Sequence, residues 1–258
     1  MARAFDLLGN VAVVNFPRDW SLTKKKKSAK EILNSNNSVK TVLEKSGKVK
    51  GRLRKPETRF LVGENTKEIK YKENGCVFRF NVDTTYFSPR LSNERKEIAE
   101  LIKNGESVLV CFAGVAPFSI VIAKNSRASR IVSNEINREA NKYARLNAEL
   151  NKVKDKIEFW DGDFKKVALK KKEKFDVIVM ARPQLKNSFL DSAFKFCKKG
   201  TRIFYYDFCK VEDKDKIVEK IKAEARSAKK KIKILNVKKA GEIAPYKIRL
   251  RVDFKVLS

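Results

Sequence analysis

The chain has 258 residues, of which 60 are Lys or Arg and 31 are Asp or Glu, so its formal net charge is +29. Such an excess of positive charge attracts polyanions, which makes nucleic acid the leading class of partner. The absence of histidine from the sequence excludes a Ser-His-Asp triad, a histidine general base and every metal site that needs histidine.

The remaining composition predicts an intracellular protein without a metal. The four cysteines are scattered, without the C-x-x-C spacing of zinc sites or of a disulfide framework. Neither a run of about 18 apolar residues nor a signal-peptide pattern occurs. We therefore expect a soluble, cytoplasmic protein that binds no metal and does not act at a membrane.

The first part of the chain, residues 1–88, is predicted to be a small basic domain that contains β-structure. Residues 5–16 have a strand pattern with a turn at Gly9-Asn10. Residues 21–55 contain twelve basic residues and two glutamates, a local charge of +10. Single lysines of this stretch are expected to be solvated, but the stretch as a whole is a candidate surface for RNA phosphates.

The second part, residues 89–258, is predicted to be an α/β domain. It begins with an amphipathic helix at residues 93–102, and short apolar runs then alternate with helical patterns. The runs read as strands at residues 108–112, 131–133, 157–160, 175–180 and 202–208. This alternation predicts a mostly parallel sheet. Two final runs, at residues 232–237 and 248–256, are joined through Gly241 and Pro245, so we expect an antiparallel pair at the sheet edge.

A cofactor site is predicted where the first strand of the second domain ends. That strand leads into Ala113-Gly114-Val115-Ala116-Pro117 and then a helix, so backbone N–H groups meet there. Glu135 follows the next strand, about 20 residues on, where a carboxylate accepts hydrogen bonds from a ribose. Asp163 follows the third strand. Because the turn lacks the G-x-G-x-x-G pattern of NAD sites, S-adenosylmethionine fits this sequence better.

Several motifs mark a resemblance to a known family. They are Glu73-Asn74-Gly75-Cys76, YFSPRLSNER at residues 86–95, FAGVAPFS at residues 112–119 and Tyr205-Tyr206-Asp207-Phe208. Together they resemble the archaeal tRNA guanine-37 N1-methyltransferases and their relatives of the wyosine pathway. The resemblance implies a class I, Rossmann-like methyltransferase domain preceded by a small β-containing domain that helps to hold the anticodon stem-loop of tRNA. We expect the protein to be a monomer.

The resemblance also implies roles for individual residues. Glu94 matches the general base, and Arg95 and Tyr86 match further catalytic residues. The positions that match cofactor contacts are Arg90, Phe112, Gly114, Ala116, Glu135, Asn137, Asp163 and Pro183. The positions expected at the substrate are Arg54, Arg59, Ala181 and Arg182, with Arg54 and Arg59 as alternative matches for one arginine of the small domain.

The sequence departs from the family pattern at several of these positions. Val110 replaces an Asp of the first strand, Ala116 replaces a Gly of the turn, and Ala181-Arg182-Pro183 replaces Asn-Leu-Pro. The last change resembles the subgroup that methylates both N1 of guanine and C7 of 4-demethylwyosine. The family's additional N-terminal domain, implicated in gripping the tRNA elbow, is expected to be absent.

Two alternatives remain open from the sequence. A related enzyme transfers the aminocarboxypropyl group of the same cofactor to the wyosine precursor. From a different class, a cofactorless RNA-binding protein on a decayed methyltransferase fold would also tolerate Val110, Ala116 and Ala181.

Overall fold

The N-terminal part of the chain forms a four-stranded sheet with one helix. The computed structural model of the protein describes residues 5–47, 57–181 and 187–258. The sheet contains, in spatial order, β1 (Phe5–Leu8), β2 (Val11–Val14), β3 (Thr41–Lys45) and β4 (Thr58–Gly63). Strands β1 and β2 form the predicted antiparallel hairpin, whereas β2 and β3 are parallel and joined through helix α1 (Leu22–Ser35).

Helix α1 lies in the stretch that the sequence analysis treated only as a basic surface. Ser21 caps the helix, since its hydroxyl accepts a hydrogen bond of 3.2 Å from the backbone N–H of Lys24. Ala29 and Ile32 face the sheet and join its core. The apolar face of the helix is narrow and lies among lysines, so no clear helical period was visible in the sequence.

Two further strands and a helix connect this sheet to the second part of the chain. Strands β5 (Glu68–Glu73) and β6 (Cys76–Asn81) form an antiparallel ribbon, which turns at Asn74 and Gly75, both in the left-handed region. Helix α2 (Ser92–Leu101) follows after a short segment. It corresponds to the amphipathic helix predicted at residues 93–102.

A seven-stranded sheet forms the centre of the second part. Its strands are β7 (Ser107–Cys111), β8 (Arg130–Glu135), β9 (Ile157–Asp161), β10 (Phe175–Met180), β11 (Cys197–Lys210), β12 (Ile232–Ala244) and β13 (Lys247–Val256). Their spatial order is β12-β13-β11-β10-β7-β8-β9. The strands from β7 to β11 pair in parallel. Strand β13 is antiparallel to both of its neighbours and lies between β11 and β12. The predicted Rossmann-like sheet with an antiparallel C-terminal pair is thus confirmed.

Helices cover both faces of this sheet. The remaining helices are α3 (Pro117–Asn125), α4 (Arg138–Leu150), α5 (Phe164–Lys170), α6 (Leu190–Phe194) and α7 (Lys214–Ser227). Ile98 of α2 and Val121 of α3 belong to the core on one face, and Phe194 and Ile221 belong to the core on the other. Burial on both faces explains why the strands read as unbroken apolar runs. Within the described ranges, no helix combines the length and apolarity needed to span a membrane.

Asn147 of α4 and Asn151, the residue directly after α4, attach the ribbon to the large domain. The amide of Asn147 exchanges hydrogen bonds with the backbone of Arg79, at 2.7 and 3.0 Å. The amide of Asn151, one turn later, does the same with Val77, at 2.8 and 2.6 Å. The two side chains therefore satisfy the open edge of β6 as a neighbouring strand would. These contacts cross the predicted domain boundary at residue 88, which stays a prediction.

Candidate active site

The turn after β7 has an unusual backbone. Phe112, Gly114 and Ala116 all lie in the left-handed region, with φ values of 60°, 58° and 63°. A Cβ atom on Gly114 would lie 3.3 Å from the backbone carbonyl oxygen of Tyr86, closer than most Cβ contacts. Glycine at this position therefore lets the segment that carries Tyr86 lie directly on the turn. Pro117 then begins α3.

Glu135, at the end of β8, binds this turn through its carboxylate. One carboxylate oxygen accepts a hydrogen bond of 2.8 Å from the backbone nitrogen of Gly114. The other accepts hydrogen bonds from the backbone nitrogens of Ile136, at 2.8 Å, and Asn137, at 2.7 Å. Burial raises the pKa of the Glu135 carboxyl, although these hydrogen bonds act against that rise. Glu135, the residue predicted to bind a ribose, thus lies at the carboxyl end of β8 as expected, and its carboxylate fixes the turn after β7.

Two further predicted cofactor residues cap helices at the same edge of the sheet. The side chain of Asn137 accepts a hydrogen bond of 3.1 Å from the backbone of Glu139 and donates one of 2.8 Å to the carbonyl oxygen of Thr84. Asp163 caps α5 through a hydrogen bond of 2.8 Å from the backbone of Lys165. Both residues fix the first turns of helices beside the site, and their contact with a cofactor stays a prediction.

Aromatic rings line the site beside the turn. The ring of Phe112 is 5.6 Å from that of Phe164 and 5.0 Å from that of Phe189, in edge-to-face arrangements. Ala181, directly after β10, is half-buried and packs against the core to which Ile98 and Val121 belong. Arg182 and Pro183 lie outside the described residues, as does Arg54.

A cleft of about 300 Å³ lies beside this site, between the small domain and the large one. Tyr86 and Arg90 line it together with Lys45 of β3 and with Phe208 and Arg249 of the large sheet. Arg90 is exposed and pairs at 3.4 Å with Asp6. The described contacts of Arg90 thus lie in the cleft, whereas the resemblance implied a cofactor contact.

Arg59, a predicted substrate residue, faces another part of the small domain. Its guanidinium pairs with the buried carboxylate of Glu44 at 2.5 Å, and the opposite oxygen of Glu44 accepts a hydrogen bond of 2.7 Å from Lys25. Arg59 is absent from the described lining of the cleft, although its neighbour Thr58 lines it. The structure therefore does not bring Arg59 together with Tyr86.

Glu94, the predicted general base, lies at the start of α2 and is only 6% exposed. One of its oxygens accepts hydrogen bonds from the hydroxyl of Tyr206, at 2.9 Å, and from Nη1 of Arg251, at 2.8 Å. The ammonium of Lys238 lies 3.1 Å from the other oxygen. Tyr206 belongs to a quoted motif, but the sequence analysis missed Arg251 and Lys238. No local pattern marks them, because they meet Glu94 only through strand pairing.

Arg95 is fully enclosed, with 1% exposure. Its guanidinium forms a two-pronged ion pair with the carboxylate of Glu73, and it donates a further hydrogen bond of 3.0 Å to the carbonyl oxygen of Ser88. The same guanidinium lies 5.0 Å from the centre of the Phe87 ring. These contacts hold the segment between Tyr86 and α2 in place.

The sequence profile of the TRM5/TYW2 methyltransferase domain matches residues 69–235, and that of the TYW2 N-terminal domain matches residues 1–66. The tRNA (guanine(37)-N(1))-methyltransferase Trm5b of Pyrococcus abyssi is 32% identical over 254 residues, which cover 98% of this chain and 74% of that protein. Its crystal structure has a TM-score of 0.88 at 31% identity, and the superposition covers 100% of this chain and 76% of the other.

Two other comparisons bear on the substrate. The tRNA (guanine(37)-N(1))/4-demethylwyosine(37)-methyltransferase Taw22 of Nanoarchaeum equitans is 44% identical over 150 residues, which cover 58% of this chain and 49% of that protein. The chain thus spans about half the length of this relative. The structure of a complex between aTrm5 and tRNALeu has a TM-score of 0.86 at 27% identity, covering 98% of this chain and 72% of the other.

Proposed function

The chain belongs to the TRM5/TYW2 methyltransferase family, and we propose that it methylates the purine at position 37 of tRNA, with N1 of guanine as the acceptor atom. Its methyl donor is S-adenosylmethionine, and its substrate is tRNA. We further propose that the acting species is a monomer in the cytoplasm that binds the anticodon stem-loop.

One contact carries the proposal. The backbone of Tyr86 lies against Gly114, so the segment that matches the family's substrate motif rests directly on the predicted cofactor turn. Tyr206, which binds Glu94, extends this connection, since its ring is 5.9 Å from the ring of Phe118 in the first turn of α3. The predicted base is therefore linked by packed rings to the helix that begins at the turn.

The residues of the turn fit an adenosylmethionine. When bound, this cofactor supplies an electrophilic methyl group on a positively charged sulfur. The Glu135 carboxylate suits a hydroxyl of a ribose diol, because three backbone N–H groups use three of its four lone-pair positions and the oxygen bound to Gly114 keeps one. The ring of Phe112 suits the flat face of an adenine, and Asp163 lies at the adjacent strand end.

Methylation at N1 of guanine requires a base, because this nitrogen carries a proton. The N–H bond breaks and leaves its electron pair on the ring, and that pair would form the bond to the methyl carbon as the bond from this carbon to sulfur breaks and leaves its pair on sulfur. A carboxylate has about four lone-pair positions, of which the described donors use three on Glu94. We propose that the remaining position accepts the N1 proton, and that Tyr86 holds the base after it leaves its stack.

The cleft beside Tyr86 suits an unstacked loop nucleotide. Its lining combines aromatic rings with cations, the combination that binds single-stranded RNA through stacking and phosphate contacts. The guanidinium of Arg249 already lies 5.3 Å from the ring centre of Phe208. Lys45 brings the basic small domain to the same cleft. These features support binding of the anticodon loop across the two domains.

A second methylation, at C7 of 4-demethylwyosine, is favoured by Ala181 and by the similarity to Taw22. A tricyclic base needs more room than guanine does, and a methyl side chain at the end of β10 occupies less space than an asparagine. We propose that the same site accepts both bases. Nucleoside mass spectrometry after incubation with unmodified and with 4-demethylwyosine-containing tRNA tests this extension directly.

The match of the small domain to the TYW2 N-terminal domain favours one alternative, aminocarboxypropyl transfer from the same cofactor. The by-product distinguishes the two reactions. Methyl transfer leaves S-adenosylhomocysteine, whereas aminocarboxypropyl transfer leaves methylthioadenosine. We expect S-adenosylhomocysteine, and methylthioadenosine as the main by-product would contradict the proposal.

The central experiment is single-turnover methylation of unmodified tRNA by the wild type and by Glu94→Gln. The variant keeps an oxygen for Arg251 but loses the proton-accepting charge, so we expect its rate to fall at least about tenfold, with cofactor affinity nearly unchanged. Glu100→Gln is the matched control, since Glu100 is an exposed acid of the same helix. A wild-type rate in Glu94→Gln would remove Glu94 from catalysis.

A further inference from the structure

Three hydrogen-bond donors that face Glu94 form one row across the sheet. Tyr206 of β11 lies opposite Arg251 of β13, and Arg251 lies opposite Lys238 of β12. Residues opposite each other on neighbouring strands point to the same face. The row therefore presents a hydroxyl, a guanidinium and an ammonium to the start of α2, and each contacts the Glu94 carboxylate.

Arg251 is held by two more carboxylates. Its Nε and Nη2 donate to the two oxygens of Asp253 at 2.8 and 3.0 Å, and Nη2 also donates to Glu97 at 2.6 Å. Glu97 lies three residues after Glu94, on the same face of α2, and also binds Lys238. With 1% exposure and three acidic partners, Arg251 has no room to change its orientation.

The formal charges of this group do not cancel. Glu94, Glu97 and Asp253 contribute three negative charges, and Arg251 and Lys238 contribute two positive ones. An uncompensated charge is unfavourable in a buried position, because the interior solvates ions poorly. Uptake of one proton brings the cluster to neutrality. Proton transfer to Glu94 therefore leaves no new unpaired charge in the cluster, while the hydrogen bonds to its carboxylate fix its geometry.

We propose that Glu97, Lys238, Arg251 and Asp253 are positioning residues, which orient the Glu94 carboxylate and supply the excess negative charge that enables it to accept the N1 proton. This inference rests on the proposed function. It assigns a role in the reaction to the antiparallel C-terminal pair, since three of the four residues lie on β12 and β13.

The other elements that pack against α2 bring no further unpaired charge from the described residues. Helix α3 contributes the ring of Phe118. On β11, Arg202 donates a hydrogen bond to the carbonyl oxygen of Leu101 and is paired with Glu106 at 2.6 Å. On the ribbon, Glu73 is already paired with Arg95, and in the turn before α2 Arg90 is paired with Asp6. The charge balance at Glu94 is therefore set by the row and by Glu97 and Asp253.

Shifted pKa values accompany these contacts. Burial acts to lower the pKa of Lys238, but its hydrogen bonds to Glu97 and Glu94 raise the value above the ordinary one. Burial acts to raise the pKa of Glu97, but hydrogen bonds from Arg251 and Lys238 bring it below the ordinary value. Both groups are thus charged in the neutral range. For Asp253, burial raises the pKa of the carboxyl against the hydrogen bonds from Arg251.

The test compares the pH dependence of single-turnover N1 methylation in two variants of partly exposed residues. Glu97→Gln removes a negative charge, so Glu94 becomes a weaker base. We expect the acid limb of the rate profile to move to lower pH by about one unit, and the plateau rate to fall. Lys238→Met removes a positive charge, and the acid limb should move to higher pH by a similar amount.

Two controls carry the same charge changes outside the cluster. Glu100→Gln lies on the same helix, and Lys239→Met lies on the same strand, where Lys239 pairs with Glu242 at the surface. We expect both profiles to superimpose on the wild type. Thermal unfolding across the same pH range confirms that each variant is folded.

Opposite shifts in Glu97→Gln and Lys238→Met support the inference, because a cluster that only stabilised the fold would move neither limb. Unchanged profiles, or shifts in the same direction, overturn it while leaving the proposed function intact. If the wild type forms no N1-methylguanosine, or if Glu94→Gln reacts at the wild-type rate, the proposed function and this inference fail together.

Discussion

Glu135 accepts a hydrogen bond of 2.8 Å from the backbone nitrogen of Gly114. The end of β8 and the turn after β7 are therefore a single unit, in which one carboxylate both shapes the turn and faces the predicted cofactor. We expect Glu135→Gln to weaken binding of S-adenosylmethionine at least about tenfold, since an amide cannot accept all three backbone N–H groups. Equilibrium dialysis measures the change, and Glu139→Gln is the control, since Glu139 is a half-buried acid of α4 that pairs with Lys142.

The same residue predicts a pH effect on stability. Burial raises the folded-state pKa of Glu135, so the folded state binds a proton more tightly than the unfolded state. Its contribution to the free energy of unfolding is fully present below the unfolded-state pKa, about 4.3, and is lost as the pH rises through the folded-state value. The stability of the wild type relative to Glu135→Gln should therefore fall as the pH rises above about 4.3. A difference in melting temperature that is independent of pH would contradict this linkage.

The buried pair of Arg95 and Glu73 predicts a test of what Arg95 does. Arg95→Met leaves Glu73 enclosed without its partner and should lower the free energy of unfolding by about 3–5 kcal/mol. The double variant Glu73→Leu with Arg95→Met removes both charges and should recover most of that loss. Denaturant unfolding measures both values.

If Arg95 only supports the segment that carries Tyr86, methylation should recover together with stability in the double variant. A double variant that is stable but inactive would instead indicate the catalytic role implied by the family motif.

The left-handed backbone of Ala116 predicts a stabilising substitution. A residue with a Cβ atom loses about 1–2 kcal/mol in this conformation, and glycine avoids that cost but loses more entropy on folding. We expect Ala116→Gly to be more stable by about 0.5–1 kcal/mol, which corresponds to roughly 1–4 °C in melting temperature. Ala113→Gly, in the same turn but outside the left-handed region, should be less stable. A lower melting temperature for Ala116→Gly would show that the turn does not carry this strain.

The cysteines predict a simple labelling pattern. Cys76, Cys111 and Cys197 are buried, and Cys209 is half-buried. Burial raises the pKa of Cys76 to about 11 and that of Cys197 to about 12, so the reactive thiolate is scarce at pH 8. With a thiol-specific disulfide reagent, we expect Cys209 to react first and the other three only on unfolding. Cys209→Ser should abolish the first phase, and its persistence would contradict the buried arrangement.

The strands of the large domain could be predicted because each is covered on both faces, which produces an uninterrupted apolar run such as Phe175–Met180. Helix α1 could not. Its inward face depends on a few residues such as Ala29 and Ile32, and the lysines between them carry no periodic signal. In the sequence, a helix with such a narrow apolar face flanked by lysines looks like an exposed segment without regular structure.

The site also contains residues that could be predicted from the sequence and residues that could not. Gly114 and Glu135 follow from the order of strands and turns, because the carboxyl ends of parallel strands meet at one edge. The partners of Glu94 do not follow from the order of strands and turns. Arg251 is 157 residues away, and its approach depends on the insertion of β13 between β11 and β12, which no local pattern encodes. The family motif predicted Glu94 as the base, but not the charges around it.

The position of β13 also has a consequence for synthesis on the ribosome. This strand follows every other described element in the chain, yet it lies between two strands made earlier. Until residues 247–256 emerge, β11 is an open edge and β12 has no neighbour, so the nascent chain is exposed to mispairing and to chaperones. The same strand delivers Arg251. The pairing of β13 and the completion of the site around Glu94 are therefore one event, and a chain that lacks this strand lacks Arg251 at the site.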